Sequence, residues 1–369
     1  MGLHAVPNGT NGSKSIGGVC DGLGVLQSPP GSLMTYHRRM LNILGLSMGW
    51  CLMISVMFIQ LSTTTLAARD YTGSATSTLP AGIMMAAATV SMTPGSLLMQ
   101  RFGRKPVLLI SAAAGIGGGV LLVLAAQFKL LWLLIVGSIP LGVCFAQANS
   151  LRFAATEFAP AGQQHKALSL VVTGAVLACV VGPEVGGLVD AGGGMMTASP
   201  LAIRDSKYSF GETTQVIQVH IICMFLPSLF TGDVIGLITA HMTMTCGSVL
   251  LAAGAAIFFA GQHLPIFFAG NSVVGLGWNW SYVGASALVT NTYDSTTKFV
   301  AQGVMDTLVL FGTGLSGVLA GPLYSRLGWG AYTAFFVGWS GVMVTVDVLF
   351  LVALLRRRRK AAAAAAAGK

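Results

Sequence analysis

The sequence predicts an all-α polytopic membrane protein, a two-half helical bundle of about ten full transmembrane helices plus a half-helix. Three observations carry that prediction. Only 8% of the 369 residues are charged and 54% are apolar, whereas an ordinary globular domain is about a quarter charged. Apolar runs of roughly 20 residues, the length that crosses a bilayer as a helix, recur along nearly the whole chain. A stretch beginning near residue 93 reappears near residue 226 in the same place relative to its helices. Because the runs are continuous rather than alternating with period two, they select helices over a barrel, the two structures lipid tolerates.

The elements follow in order. Residues 1–36 are rich in Gly, Ser and Asn and read as a disordered cytoplasmic leader. They lack a signal-peptide cleavage pattern. Spans are expected at 40–62, 78–99, 106–127, 131–150, 167–190, 215–237, 242–260, 264–289, 300–322 and 331–354. An apolar piece at 192–203 is too short to cross. The expected organisation is therefore an N-terminal half at 37–191 with five spans and a C-terminal half at 192–355 with the half-helix and five spans. A basic, alanine-rich cytoplasmic tail follows at 356–369.

The net charge of +9 does not imply nucleic acid, because the basic residues sit in short clusters between apolar runs. With the N-terminus placed in the cytoplasm and the spans alternating, 15 Lys and Arg fall inside and 5 outside. The positive-inside rule favours that orientation, with both termini cytoplasmic. The partner expected is the lipid bilayer; no obligate protein partner is evident. The six cysteines are scattered without metal-ligand or CxxC spacing, so neither a metal site nor a cofactor is expected. Two enzyme-like matches dissolve in context. "GLSMG" (45–49) lies inside an apolar run, not at a strand–turn–helix elbow. "GTGLSG" (312–317) has no preceding strand and reads as small residues at a helix contact.

The repeat aligns "TPGSLLMQRFGRKPVLLISAAAG" (93–115) with "LPSLFTGDVIGLITAHMTMTCGS" (226–248), Pro94 answering Pro227 and Gln100 answering Asp233 at an offset of 133. A looser pair joins 157–170 to 291–304. Six spans with loops need roughly 180 residues or more, so the offset is too short for a six-helix repeat. The one place without a connecting loop is 182–204.

These stretches resemble the major facilitator superfamily. "QRFGRK" (100–105) is similar to its loop motif, an acidic residue followed by R-x-G-R-K, here with Gly95, Arg101, Gly103, Arg104 and Lys105. "GPEVGG" (182–187), preceded by Gly174, resembles the G-P-x-x-G-G motif of its proton-coupled exporters through Gly182, Pro183, Gly186 and Gly187. "LRFAATEFAP" (151–160), "MTASPLAI" (196–203) and "GLGWNWSYVG" (275–284) resemble a subgroup common among bacterial transporters. The resemblance spans 40–355. It departs at Gln100, where the family has an acid, and at Gly95, where the family's glycine falls one place later. It also implies that the sixth helix, the central loop and the inner half of the seventh are missing.

Candidate functional residues follow, each beside a plainer reading. Gly182–Pro183 either bends the fifth span to seal an outer gate or merely packs. Glu184 is an intramembrane acid; it either pairs with His220 across the halves to take a coupling proton or is solvated at the outer interface. Asp306 either latches to Arg101 or Arg104 at an inner gate or faces a watery vestibule, and Asp233 is placed to act likewise in the second copy. Arg152 with Glu157 is expected as a structural latch. Trp278, Asn279 and Trp280 either line a solute cavity or pack. The resemblance implies a secondary transporter working by alternating access, with proton-coupled export as the leading direction. The alternatives are a uniporter or proton symporter taking solute in, and a transport-dead scaffold or sensor.

Overall fold

A computed structural model describes residues 33–72, 79–160, 162–176 and 194–367. Twelve α-helices are described and no strand is present among these residues. They are α1 (Leu33–Thr72), α2 (Leu79–Phe102), α3 (Arg104–Phe128), α4 (Leu131–Ala148), α5 (Leu151–Phe158), α6 (Gln164–Thr173), α7 (Gly194–Asp205), α8 (Phe210–Phe225), α9 (Ser228–Ile238), α10 (Ala240–Ile257), α11 (Leu264–Thr290) and α12 (Lys298–Ala367). Residues 1–32 of the expected leader and the Gly182–Gly187 segment with Glu184 lie outside the described residues, whereas residues 33–36, expected as leader, begin α1.

Seven described helices are long and apolar enough to cross a membrane, or eight if one bent pair is a single span. The expected count was ten, and two physical reasons account for the difference. The fifth expected span is described only at its start, in α6. Helix α11 is long enough at 27 residues, but Asn271, Asn279 and seven other Gly and Ser positions dilute its apolar character. Helix α12 holds the last two expected spans, joined at Gly328, whose φ of 71° takes the helix through a non-helical residue. The apolar piece expected at 192–203 does form a short helix, α7, packed against α8 and α12. The tail, expected as low-complexity alanine, continues α12 to Ala367, as alanine's helix propensity favours.

Pro227 breaks one expected span into α8 and α9, which meet at 41°, because proline removes a backbone donor. Pro94 sits inside α2 instead. The repeat is visible in the turns rather than in that pair. Gly103 joins α2 to α3 at φ 85°, ψ 163°, and Thr239 joins α9 to α10 at φ 82°, ψ 151°. These turns are 136 residues apart, so the register of 133 set by the prolines is off by three near the turn. Gln100 stands three residues before its turn and Asp233 six before its own; they are not equivalent.

Close helix approach supplies the packing. A Cβ on Gly247 would strike the Ser281 backbone, and one on Gly277 would strike Leu251, so α10 and α11 meet with almost no side chain between them. Gly174 admits the Ser47 carbonyl of α1, and Gly95 admits the Gln147 side chain. The glycines at 312 and 314 differ from expectation: Gly312 faces open space and only Gly314 touches a neighbour, Met85.

Candidate transport site

The helices before residue 177 and those after residue 193 form an N-terminal and a C-terminal set. Both sets bring their basic turns to one end of the bundle, where several polar contacts tie them together. Thr93 and Thr307 share a hydrogen bond of 2.8 Å, and Gln100 Nε2 donates to the Thr296 carbonyl at 2.9 Å. Arg104, 3% exposed, reaches Glu157 at 3.1 Å and Gln302 at 2.9 Å. Its guanidinium lies 4.7 Å from the Phe299 ring. Lys298 reaches the same Glu157 oxygen at 3.2 Å. Lys166 and Asp233 pair at 2.6 Å on the surface, and Gly232 lets α9 press on the Lys166 backbone. In the connecting loop, hydrogen bonds from Thr296 and then Thr297 hold the Asp294 carboxyl well below the usual carboxylate range.

Deeper in, Arg152 of α5 is completely buried and pairs with Asp306 of α12, itself 2% exposed. The rest of the guanidinium is used as well. Nη1 donates to the Asn149 carbonyl at 2.8 Å and Nε to Ser286 Oγ at 3.3 Å. The Phe153 and Tyr282 rings stand 4.3 and 4.7 Å from its carbon. Tyr282 in turn donates to Asn149 Oδ1 at 3.4 Å. Two charges out of water persist only when paired and hydrogen-bonded, and this pair joins one residue from each set.

Asn149 and Tyr282 also form the floor of a cavity of about 640 Å³ that runs away from the basic end. Its walls come from both sets: Trp50, Ile54, Met85 and Phe145 from one, His220, Phe225 and Trp278 from the other. Trp278 stacks on Tyr282 at 4.6 Å and meets Phe225 edge-on at 5.6 Å. His220 is buried, with Nδ1 2.7 Å from the Asn271 carbonyl. The wall is mostly apolar and aromatic with a few polar groups, the make-up of a small-molecule site.

No protein-family model matches the chain. A riboflavin transporter of Brucella anthropi is 26% identical, covering 68% of this chain and 81% of the relative. An uncharacterized MFS-type transporter of Bacillus subtilis, YdeG, is 32% identical over a shorter region, 35% of this chain and 30% of the relative. The crystal structure of the human organic anion transporter MFSD10 superposes with a TM-score of 0.61 at 11% identity, covering 87% of this chain and all of that one. The fold is that of the major facilitator superfamily. The proteins that share this major-facilitator fold and sequence likeness are transporters rather than enzymes, and "GLSMG" lies inside α1 as the membrane reading requires.

Several expected roles move within this major-facilitator bundle. Asp306 pairs with Arg152, not with Arg101 or Arg104; Arg104 instead reaches Gln302, one turn short of Asp306 on α12. Glu157 serves Arg104 and Lys298 instead of Arg152. Arg101 is exposed against Phe102, and Lys105 is exposed. Asn279 does not face the cavity: its amide donates to the Met224 carbonyl at 2.6 Å and to Ser228 Oγ at 2.5 Å, while Thr231 donates to its oxygen at 2.7 Å. It therefore clamps the α8–α9 bend, where Pro227 disrupts the helical ladder. Of the three neighbours, Trp278 lines the cavity and Trp280 does not. Sequence reasoning missed Trp50, Asn149 and Tyr282. The arginine in "NSLRFAAT", an isolated charge at the end of an apolar run, was the available signal for the floor.

Proposed function

We propose that the protein is a secondary transporter that moves a small organic solute by alternating access, held here in the state closed at its basic end. The observation that carries this reading is the cavity shared by both sets above a buried Arg152–Asp306 closure. Rocking of the sets would break that pair and the surface ties and open the cavity to the other side. Aromatic walls at Trp50, Trp278 and Tyr282 suit a planar ring system, and the Brucella relative's named solute, riboflavin, is the first to try.

The direction we favour is export in exchange for protons. The "GPEVGG" likeness supports it, and so does a buried carboxylate at the gate, since protonating Asp306 would release Arg152 and shift the equilibrium between states. Glu184 and His220 are further carriers of that proton. The 15-to-5 charge asymmetry supports a cytoplasmic basic end with both termini inside. The likeness further supports a shortened bundle. The Brucella alignment runs over 325 residues yet takes in 68% of this chain, about 250 residues, leaving about 75 positions unmatched. That is the size of a span, a loop and part of a second span.

The test is riboflavin flux in proteoliposomes with an imposed pH gradient. Solute driven opposite to the proton gradient supports coupled exchange, and solute driven along with it favours symport. Flux indifferent to the gradient favours uniport. If riboflavin and a panel of planar organic anions all fail to move while the protein remains folded, the transport-dead scaffold reading replaces this one.

A further inference from the structure

A second buried polar cluster lies away from the cavity, between α10 and the last span of α12. His241 stands next to the start of α10 and is 5% exposed, and both of its ring nitrogens are buried without a hydrogen-bond partner among the described residues. The Phe350 ring meets the imidazole edge-on at 4.9 Å. From the same stretch of α12, Asp347 is near enough for its charge to act on the imidazole. The Asp347 carboxylate accepts from Ser248 Oγ at 2.5 Å. Ser248 follows His241 by seven residues, two turns along the same face of α10.

Among the described residues, Asp347 is the one charge that acts on the His241 imidazole. Helix α11, which packs along α10, contains no Asp, Glu, Lys, Arg or His. On α9, Asp233 is taken by Lys166. Cys246 lies five residues beyond His241, on a different face of α10. Asp347 is the charged group that reaches the imidazole.

We infer that His241 and Asp347 form a proton-binding site shared between α10 and the last span, separate from the cavity and its ionic floor. The physical ground is net charge. With a neutral imidazole and an ionised carboxylate the cluster carries one negative charge among lipid-facing helices. One added proton gives either an imidazolium–carboxylate pair or a neutral pair, and both remove the net charge that the apolar surroundings penalise. The proton belongs to the pair rather than to either residue. His241 adjoins the Thr239 turn at the basic end. The inference does not depend on transport. If the transport reading holds, this site adds a coupling proton bound outside the solute cavity.

The experiment is histidine NMR on the full chain in lipid nanodiscs, with ¹⁵N-labelled histidine and the His241 signal identified by its loss in H241Q. The His241 signal is expected to change with pH, with one midpoint, as the pair takes its proton. Asp347→Asn should move its midpoint down by about one pH unit or more, the usual effect of losing an adjacent opposite charge. Asp347→Glu should restore it. Should Asp347→Asn fail to fold, as judged by the His220 signal, Ser248→Ala tests the same link. It leaves the carboxylate without its donor and should move the midpoint up. A His241 midpoint that is unmoved in the folded variants, or a His241 signal that does not respond to pH at all, overturns the inference.

Discussion

Replacing Asp306 with Asn tests whether the buried ion pair holds the basic end shut. The substitution keeps the side chain's shape and removes its charge. In the closed state Arg152 would remain fully buried, its remaining partners the Asn149 carbonyl, Ser286 and two aromatic faces. Removing one member of a buried pair costs about 3–5 kcal/mol, most of it the penalty of the stranded charge. An open basic end would return that guanidinium to water, so the penalty falls on the closed state alone. At about 1.4 kcal/mol per factor of ten, the closed-to-open ratio should fall by about two to three and a half powers of ten.

Spin labels at Lys105 and Ser295, both exposed at the basic end, report the separation of the two sets by pulsed electron resonance. Wild type should give one short distance, and Asp306→Asn a second, longer population that dominates. The control removes both charges, with Arg152→Met and Asp306→Leu together. Replacing a buried pair by apolar groups is often neutral, so the short distance should return. If the Asp306→Asn distribution superposes on wild type, or the double variant opens as far as the single one, the pair is not what holds the end closed.

Further outcomes follow from the same geometry. Thr239 holds a backbone conformation that is essentially glycine's alone, at φ 82°, ψ 151°. Thr239→Gly should raise the thermal midpoint by the equivalent of about 1 kcal/mol, the released strain less its weak cap to Met242. Asn279→Ala should destabilise the protein by about 1–3 kcal/mol, because it strands the polar groups at the α8–α9 bend. Solute affinity should be nearly unchanged, whereas Trp278→Ala should weaken solute binding with little change in melting. The Asp294 carboxyl has its folded pKa depressed by Thr296 and Thr297. Its contribution to stability is therefore present above the ordinary carboxylate range and lost as the pH falls below it. Asp294→Ala should flatten the acid limb of a melting-temperature profile, and an unchanged limb would refute that assignment.

How much was legible in the sequence differs between fold and site. A residue run of sufficient apolar length is a local property. The described spans and the half-helix now seen as α7 could therefore be placed from the sequence, whereas the repeat register of 133 set by the prolines missed the spacing of the turns at Gly103 and Thr239 by three residues. The candidate site was only half legible. Asp306, His220 and Trp278 were recognised as polar or aromatic residues inside apolar runs. Their partners were not, because a partner depends on depth along two helices and on how they cross. Asp306 meets Arg152, 154 residues away, rather than the nearer-looking arginines of the loop motif. Asn279 turned inward to the bend at Pro227 because a proline-broken helix leaves groups that some neighbour must satisfy. The sequence by itself determined that this chain is a bundle of membrane helices, since lipid permits little else. Only the tertiary structure decided which charges face one another and where the cavity ends, because a buried charge is fixed by the three-dimensional packing that desolvates it.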